Sequence, residues 1–451
     1  MVSDPQADLQ VDQQANLSRI FRKLDLWILP MISSMYLMSF LDRTNVGYAN
    51  VAGMSKDLGM TPHQYSIGLS VFFAAYVSLE TPSNVFLKRL HPKYYLPSLT
   101  IAWGIITTLS CLVQNFGGFV TVRVLLGLAE AGLFPGMIFY LSMWYPRYKQ
   151  LSRFSWFFSA ASLSGAFGGL LGRGLVALDG RAGLEGWRWI FLVEGLLTVA
   201  VGCLAYFVLQ DGPSTASFLT ETERSALLAV LAADYKQESE DFDWKLVRSA
   251  FADWKVWLAA LMCVSVAIPT FSFALFLPSI VASIGYSNVQ AQLMSVPPFA
   301  TACVFTALMG LLSDKWRYRT PFMLIYSTVG MIGYILLIAL PHSQSGARYF
   351  ATFLCAVSLY VCSAMNMGWL GNNLQGHHKR ATGCGIQVSI GQVGGIVSSY
   401  LYPSTDAPKY IVGNSVALGT LAIAFITTVF MFAGLKYSNR RSPEDGFKYM
   451  L

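Results

Sequence analysis

Two opposite charges stand side by side in an apolar run: Met35 to Asn50 reads MYLMSFLDRTNVGYAN, with Asp42 next to Arg43. A second pair, Arg123 and Glu130, brackets the apolar stretch VLLGLA. Seven residues are two helical turns, so Arg123 and Glu130 leave the same face of a helix about 10 Å apart. Adjacent residues lie about 100° apart around a helix, which lets Arg43 point at a cavity while Asp42 points at a neighbouring helix, or the reverse. Two guanidiniums facing one cavity make a bidentate clamp for a carboxylate, and carboxylates beside them can take up protons. An ionised group at the centre of a membrane helix costs about 2.5 to 3.5 kcal/mol on insertion scales, so charges kept there need a partner or a task. The competing reading is that these charges neutralise one another and tie helices together. Glu80, Arg173 and Glu194 also lie in apolar runs, and all of these charges fall in the first half of the chain.

The elements that position them follow from composition. Of 451 residues, 54% are hydrophobic and 12% charged, and the mean hydropathy is +0.49. A soluble core of ordinary proportions cannot hide that much apolar surface, so the chain reads as an all-α polytopic membrane protein. Segments of about 20 apolar residues match the bilayer's hydrocarbon thickness. Twelve are expected, near about residues 26–46, 67–87, 96–114, 118–141, 153–176, 188–209, 255–281, 291–312, 321–340, 347–371, 381–402 and 412–435. The first follows Arg19, Arg22 and Lys23 without a small-residue cleavage site, so it reads as a retained helix.

The two halves repeat. GAFGG from Gly165 recurs as GQVGG from Gly391, and the same offset carries Arg153 onto Lys379 and Lys88 onto Asp314. It carries Asp42, Arg123 and Glu130 onto Ile268, Tyr349 and Ala356, so the second half lacks the charges. Two six-helix bundles, 1–209 and 255–451, are therefore expected around a binding site near midplane, joined by a polar linker at 210–254. The linker carries a short amphipathic helix capped by Thr220 with Glu223 three residues on. Placing the termini and the linker in the cytoplasm puts about 18 basic residues inside and about five outside.

The formal charge of +7 reflects these loops and their contact with anionic lipid, not nucleic acid. His63, His91, His342, His377 and His378 fall in loops or at helix ends, so carboxylates must carry any intramembrane proton. The seven cysteines read as small packing residues within spans, and neither a metal site nor a cofactor is expected. A membrane enzyme would need a nucleophile, base or metal cluster near an interface, and no such constellation stands out.

The stretches LDRTNVGYANVAGMSKDLGM, ETPSN, RVLLGLAEAGLFPGMIFYLSMWYP, WRWIFLVEG, KRATGCGIQ and DAPKY are similar to the anion:cation symporter family of the major facilitator superfamily, in its fungal allantoate permease-like branch. The loop GLLSDKWRYR resembles the superfamily's cytoplasmic signature, while its counterpart NVFLKRLHPK has Asn84 and Lys88 where glycine and aspartate are usual. The resemblance implies the major facilitator fold, Asp42 and Glu130 in proton coupling, and Arg43 and Arg123 in binding a small organic anion. The fifth span, SGAFGGLLG, lacks the glycine-proline pair of drug exporters, which favours a symporter over an antiporter. Tyr36, Asn45, Tyr76, Asn366, Trp369, Asn373 and Gln387 are left to line the cavity or to pack helices. A monomer is expected in the plasma membrane, with an intracellular organelle membrane as the other location and an uncoupled anion facilitator or exchanger of the same fold as the alternative function.

Overall fold

The computed structural model describes residues 5–89, 91–235, 244–316, 318–341, 343–375, 377–441 and 448–451. Arg317, His342 and linker residues 236–243 lie outside them, as do the side chains of Asn84, Lys88, Arg89, Arg147, Asp314, His377 and His378. The first half contains α1 (Pro5–Val51), α2 (Met54–Asp57), α3 (Pro62–Arg89), α4 (Pro92–Leu109), α5 (Phe116–Glu130), α6 (Leu133–Trp144), α7 (Arg147–Val176) and α8 (Gly186–Val208). The linker region holds α9 (Glu221–Tyr235) and α10 (Trp244–Ala252). The second half contains α11 (Trp254–Ser283), α12 (Asn288–Met294), α13 (Val296–Trp316), α14 (Thr320–Ala339), α15 (Ser345–Asn372), α16 (His377–Ser398) and α17 (Ile411–Arg441).

Every expected span coincides with a helix or, for α5 with α6 and α12 with α13, a helix broken by a short turn. Among the described residues, nine spans are apolar and long enough to cross a membrane. The remaining three, α3, α7 and α16, are also long enough to cross, but carry more charged or histidine residues, at both ends of α3 and α7 and at the start of α16.

Each half packs its helices in the same pairs. In the first, α1 lies on α7, α3 on α5 and α4 on α8; in the second, α11 lies on α16, α13 on α15 and α14 on α17. The halves meet through α1 with α11, α3 with α16 and α7 with α13, as a pseudo-two-fold relation requires. An ion pair repeats as well. Arg153 on α7 grips Asp25 on α1 through two bonds of 3.0 and 2.7 Å, and Lys379 on α16 holds Asp253, the N-cap of α11, at 2.7 Å. Arg153 and Lys379 are the residues related by the sequence repeat.

The linker helix caps as its sequence prescribes: Thr220 N–H donates to Glu223 Oε2 at 2.9 Å and Glu223 N–H to Thr220 Oγ1 at 3.3 Å. Glu223 also holds Lys23 of α1 at 2.7 Å, and Phe218 stacks on Trp27 and Trp144. The Lys23 ammonium, then the Thr220 backbone N–H, hold the Glu223 carboxyl below the ordinary glutamate range. A carboxyl lowered on folding stabilises the fold above its unfolded value and loses that contribution as pH falls through the folded one. Glu223→Gln is therefore expected to lower the thermal midpoint slightly at pH 7, the pair being partly exposed, and to match the parent in acid below the glutamate range. Thermal scans of both proteins across pH check this.

The seams between the halves are tight at the end remote from the termini. Ser70 and Tyr400 hydroxyls meet at 3.0 Å, Phe73 lies on Phe271 with ring centroids 5.1 Å apart, and Gln292 Nε2 donates to Tyr48 O at 3.4 Å. At Gly47 the backbones of α1 and α11 touch, since a Cβ there would lie 2.2 Å from Leu275 O. Alanine at this position cannot fit without parting the helices, at about 1 to 3 kcal/mol for overpacking. Gly47→Ala is expected to shift the population about 5- to 150-fold away from the conformer closed at this end. Thiol labelling from that side of a cysteine replacing Ser70 should rise accordingly; unchanged labelling would show that the contact does not govern closure.

Candidate functional site at the interface of the halves

Between the halves lies a cavity of about 70 Å³. The first half lines it with Tyr36, Phe40, Arg43, Tyr76, Phe134 and Ala161, and the second with Cys263, Val266, Ala267, Thr270, Phe271, Tyr360, Ser363, Asn366, Met367 and Gln392. Arg43 supplies a positive charge to an otherwise aromatic and neutral-polar wall. Its guanidinium is 4.8 Å from the Tyr76 ring, 5.1 Å from Phe40 and 5.5 Å from Phe72. Such ring faces attract a cation without neutralising it. Neutralisation comes from Glu130: Arg43 Nε donates to Glu130 Oε1 at 2.9 Å, and Ser39 Oγ donates to the same oxygen. Both charged partners are buried.

Helix α1 resolves the direction of its adjacent charges. Arg43 faces the cavity, and Asp42 turns toward α4 and α8, where its Oδ2 accepts from Trp103 Nε1 at 3.0 Å and from Thr198 Oγ1 at 3.2 Å. Asn45 is buried one turn on and donates to Asp42 Oδ1 at 3.4 Å, away from the cavity.

Arg123 does not share the cavity with Arg43 in this conformer. Its Nε donates to Gly68 O at 3.4 Å, its guanidinium sits 4.6 Å from Phe72, and it lines a separate small pocket with Asp42, Thr107 and Trp187. Two turns of α5 place Arg123 and Glu130 on one face but at different heights, and the Phe72 ring touches both guanidiniums. Gly127, between them, lets α5 approach α3 so closely that a Cβ would lie 2.3 Å from Phe72 O. Both charged side chains are thereby pressed into the bundle.

Residues 32–399 match the family model of the Major Facilitator Superfamily. The chain belongs to that superfamily. An uncharacterised transporter of Schizosaccharomyces pombe is 36% identical over 97% of this chain and 87% of its own length. The high-affinity nicotinic acid transporter of Saccharomyces cerevisiae is 32% identical over 93% of this chain and 78% of its own. The crystal structure of a D-xylose–proton symporter shares the fold at a TM-score of 0.70 with 13% identity, covering 90% of this chain and 97% of that one. The chain is thus a secondary transporter that crosses the membrane many times, and not an enzyme.

The transporter's remaining candidate residues divide. Tyr36, Tyr76 and Asn366 line the cavity. Gln387 stands behind Asn366, donating to its backbone oxygen at 3.1 Å and its side-chain oxygen at 3.2 Å. Trp369 and Asn373 lie farther along α15 and hold the last residues of the chain: Trp369 Nε1 donates to Met450 O at 2.9 Å, and Asn373 exchanges bonds of 3.0 and 2.7 Å with Met450. They anchor that segment instead of lining the cavity, because one to two turns carry them past Asn366 to the end of the helix. Sequence reasoning missed Phe40, Phe134, Phe271, Tyr360, Thr270, Ser363 and Gln392, since an aromatic or small polar residue within a span looks alike whether it faces lipid, a neighbour or a cavity.

Proposed function

We propose that this transporter carries a small organic anion, a carboxylate, in symport with protons by alternating access. The Arg43–Glu130 pair in the cavity wall carries this reading. An anion that binds Arg43 competes with Glu130 for the same guanidinium, and a proton on Glu130 removes the competitor. Glu130 Oε2 is buried without a hydrogen-bond partner among the described residues, which leaves it an oxygen to receive that proton. Anion and proton then favour each other's binding, which is the thermodynamic requirement for symport. Aromatic walls suit an organic body better than a hydrated inorganic ion, and one relative is named for nicotinic acid, itself an organic acid.

In this reading residues 1–209 and 255–451 are the two bundles and 210–254 the link, with the link and both termini cytoplasmic. The tight end of the seams then faces outward, and the conformer is closed to the outside. The protein works as a monomer in the plasma membrane. An uncoupled facilitator is the second reading, favoured by the same ion pair if it only offsets charge. Purified protein in liposomes, given a panel of radiolabelled carboxylates with and without an imposed pH gradient, separates them. Symport predicts gradient-driven accumulation of at least one carboxylate; equilibration regardless of gradient supports the facilitator, and transport of none overturns both.

A further inference from the structure

A second cluster of buried oxygens lies inside the first bundle, off the anion cavity. Glu194 on α8 is fully buried, and neither of its carboxylate oxygens has a hydrogen-bond partner among the described residues. Its polar neighbour is the Asn45 side chain, and the charge acting on it is Asp42. Asn45 Oδ1 is likewise unpartnered, and the Thr107 hydroxyl stands beside Asp42. Three buried acceptor oxygens thus lack partners beside Asp42, whose carboxylate has its own donors in Trp103, Thr198, the Asn45 amide and the Thr107 hydroxyl.

The surroundings offer Glu194 no compensating cation among the described residues. Helix α1 presents Asp42 and Tyr48, and the Tyr48 hydroxyl is committed to Gly165 O of α7 at 2.8 Å. Helix α4 presents Trp103 and Thr107 to the cluster. Arg123 shares the small pocket beside Asp42, and Glu130 acts on Asp42 with the opposite sign, so Asp42 has a cation nearby while Glu194 has none among the described residues. Two carboxylates in one buried site do not both ionise without a cation between them. The cluster is rich in acceptors and short of donors, and a carboxyl that gains a proton becomes a donor.

We propose that Asp42 and Glu194, joined by Asn45, form a two-carboxylate site that holds one proton, separate from the anion cavity. The pocket of about 10 Å³ that Asp42 shares with Arg123, Thr107 and Ser110 gives room for about one water on the Asp42 side of the site, away from Glu194. Because Asp42 and Arg43 are consecutive on α1, a change in the proton site is felt directly at the anion wall. The proton's use rests on the symport reading; the site's existence does not.

Infrared spectra of the purified protein test the site without substrate. Buried carboxylic acids give C=O bands apart from those of carboxylates. Glu194→Gln, which keeps size and hydrogen bonding, should remove one such band, and Asp42→Asn should shift the band that Glu194→Gln removes. Glu130→Gln should not remove it. If Glu194→Gln does not fold, Glu194→Asp must shift the same band. Identical carboxylic-acid bands in parent and Glu194 variant overturn the proposal. So does loss of the Glu194 band on replacing choline chloride with sodium chloride, which would make the site a sodium site. A Glu194 band behaving as expected in a protein that moves no proton with its anion leaves the site standing and removes the symport reading.

Discussion

Arg43→Ala is expected to weaken anion binding about 10- to 150-fold, the loss of a charge-assisted partner worth about 1.5 to 3 kcal/mol. The guanidinium lines the cavity and is held in place by Glu130 and three aromatic rings, so no neighbour can substitute for it. Arg43→Lys should restore binding only partly, because an ammonium lacks the planar fork and the ring stacking. Arg123→Ala should cost less binding in this conformer, since that guanidinium lines a different pocket from Arg43. Equilibrium binding of a transported carboxylate to purified variants measures all three. Parental affinity in Arg43→Ala would make the arginine a structural residue.

The second large effect concerns coupling. Asp42→Asn is expected to abolish proton-driven accumulation while preserving exchange of substrate across the membrane, because an amide cannot gain or lose the proton that links transport to the gradient. Asparagine keeps an oxygen to accept from Trp103 and Thr198, so the variant should fold. Glu130→Gln should lose accumulation too, at greater cost to stability, since breaking a buried pair by neutralising one partner costs about 3 to 5 kcal/mol. Counterflow, accumulation and thermal midpoint measured on the same variants distinguish this from a merely charge-balancing role, in which stability would fall in both and accumulation would track the amount of folded protein.

The sequence carried the fold further than the site. Apolar runs of bilayer length need no tertiary knowledge, and the repeat that links Arg153 to Lys379 reappears as a repeated ion pair with Asp25 and Asp253. The site depends on details that spacing leaves open. A step of about 100° says that Asp42 and Arg43 diverge, yet only the packing of α4 and α8 decides which one meets the cavity. The two-turn spacing of Arg123 and Glu130 gives a common face without giving height, and Phe72 of another helix meets the Arg123 guanidinium. Glu194 gave no local signal to set it apart from Glu80 or Arg173, because what marks it is unpartnered oxygen, a property of the neighbours. Trp369 and Asn373 bind a segment distant in sequence, beyond the reach of any helical period.

The central claim is that anion and proton move together. Liposomes containing the purified protein, with no initial pH or electrical gradient, should alkalinise the outside medium when a transported carboxylate is added there, as each anion takes protons inward. Asp42→Asn should abolish the signal while the labelled anion still exchanges. Anion uptake by the parent protein with no accompanying change in external pH would contradict the account.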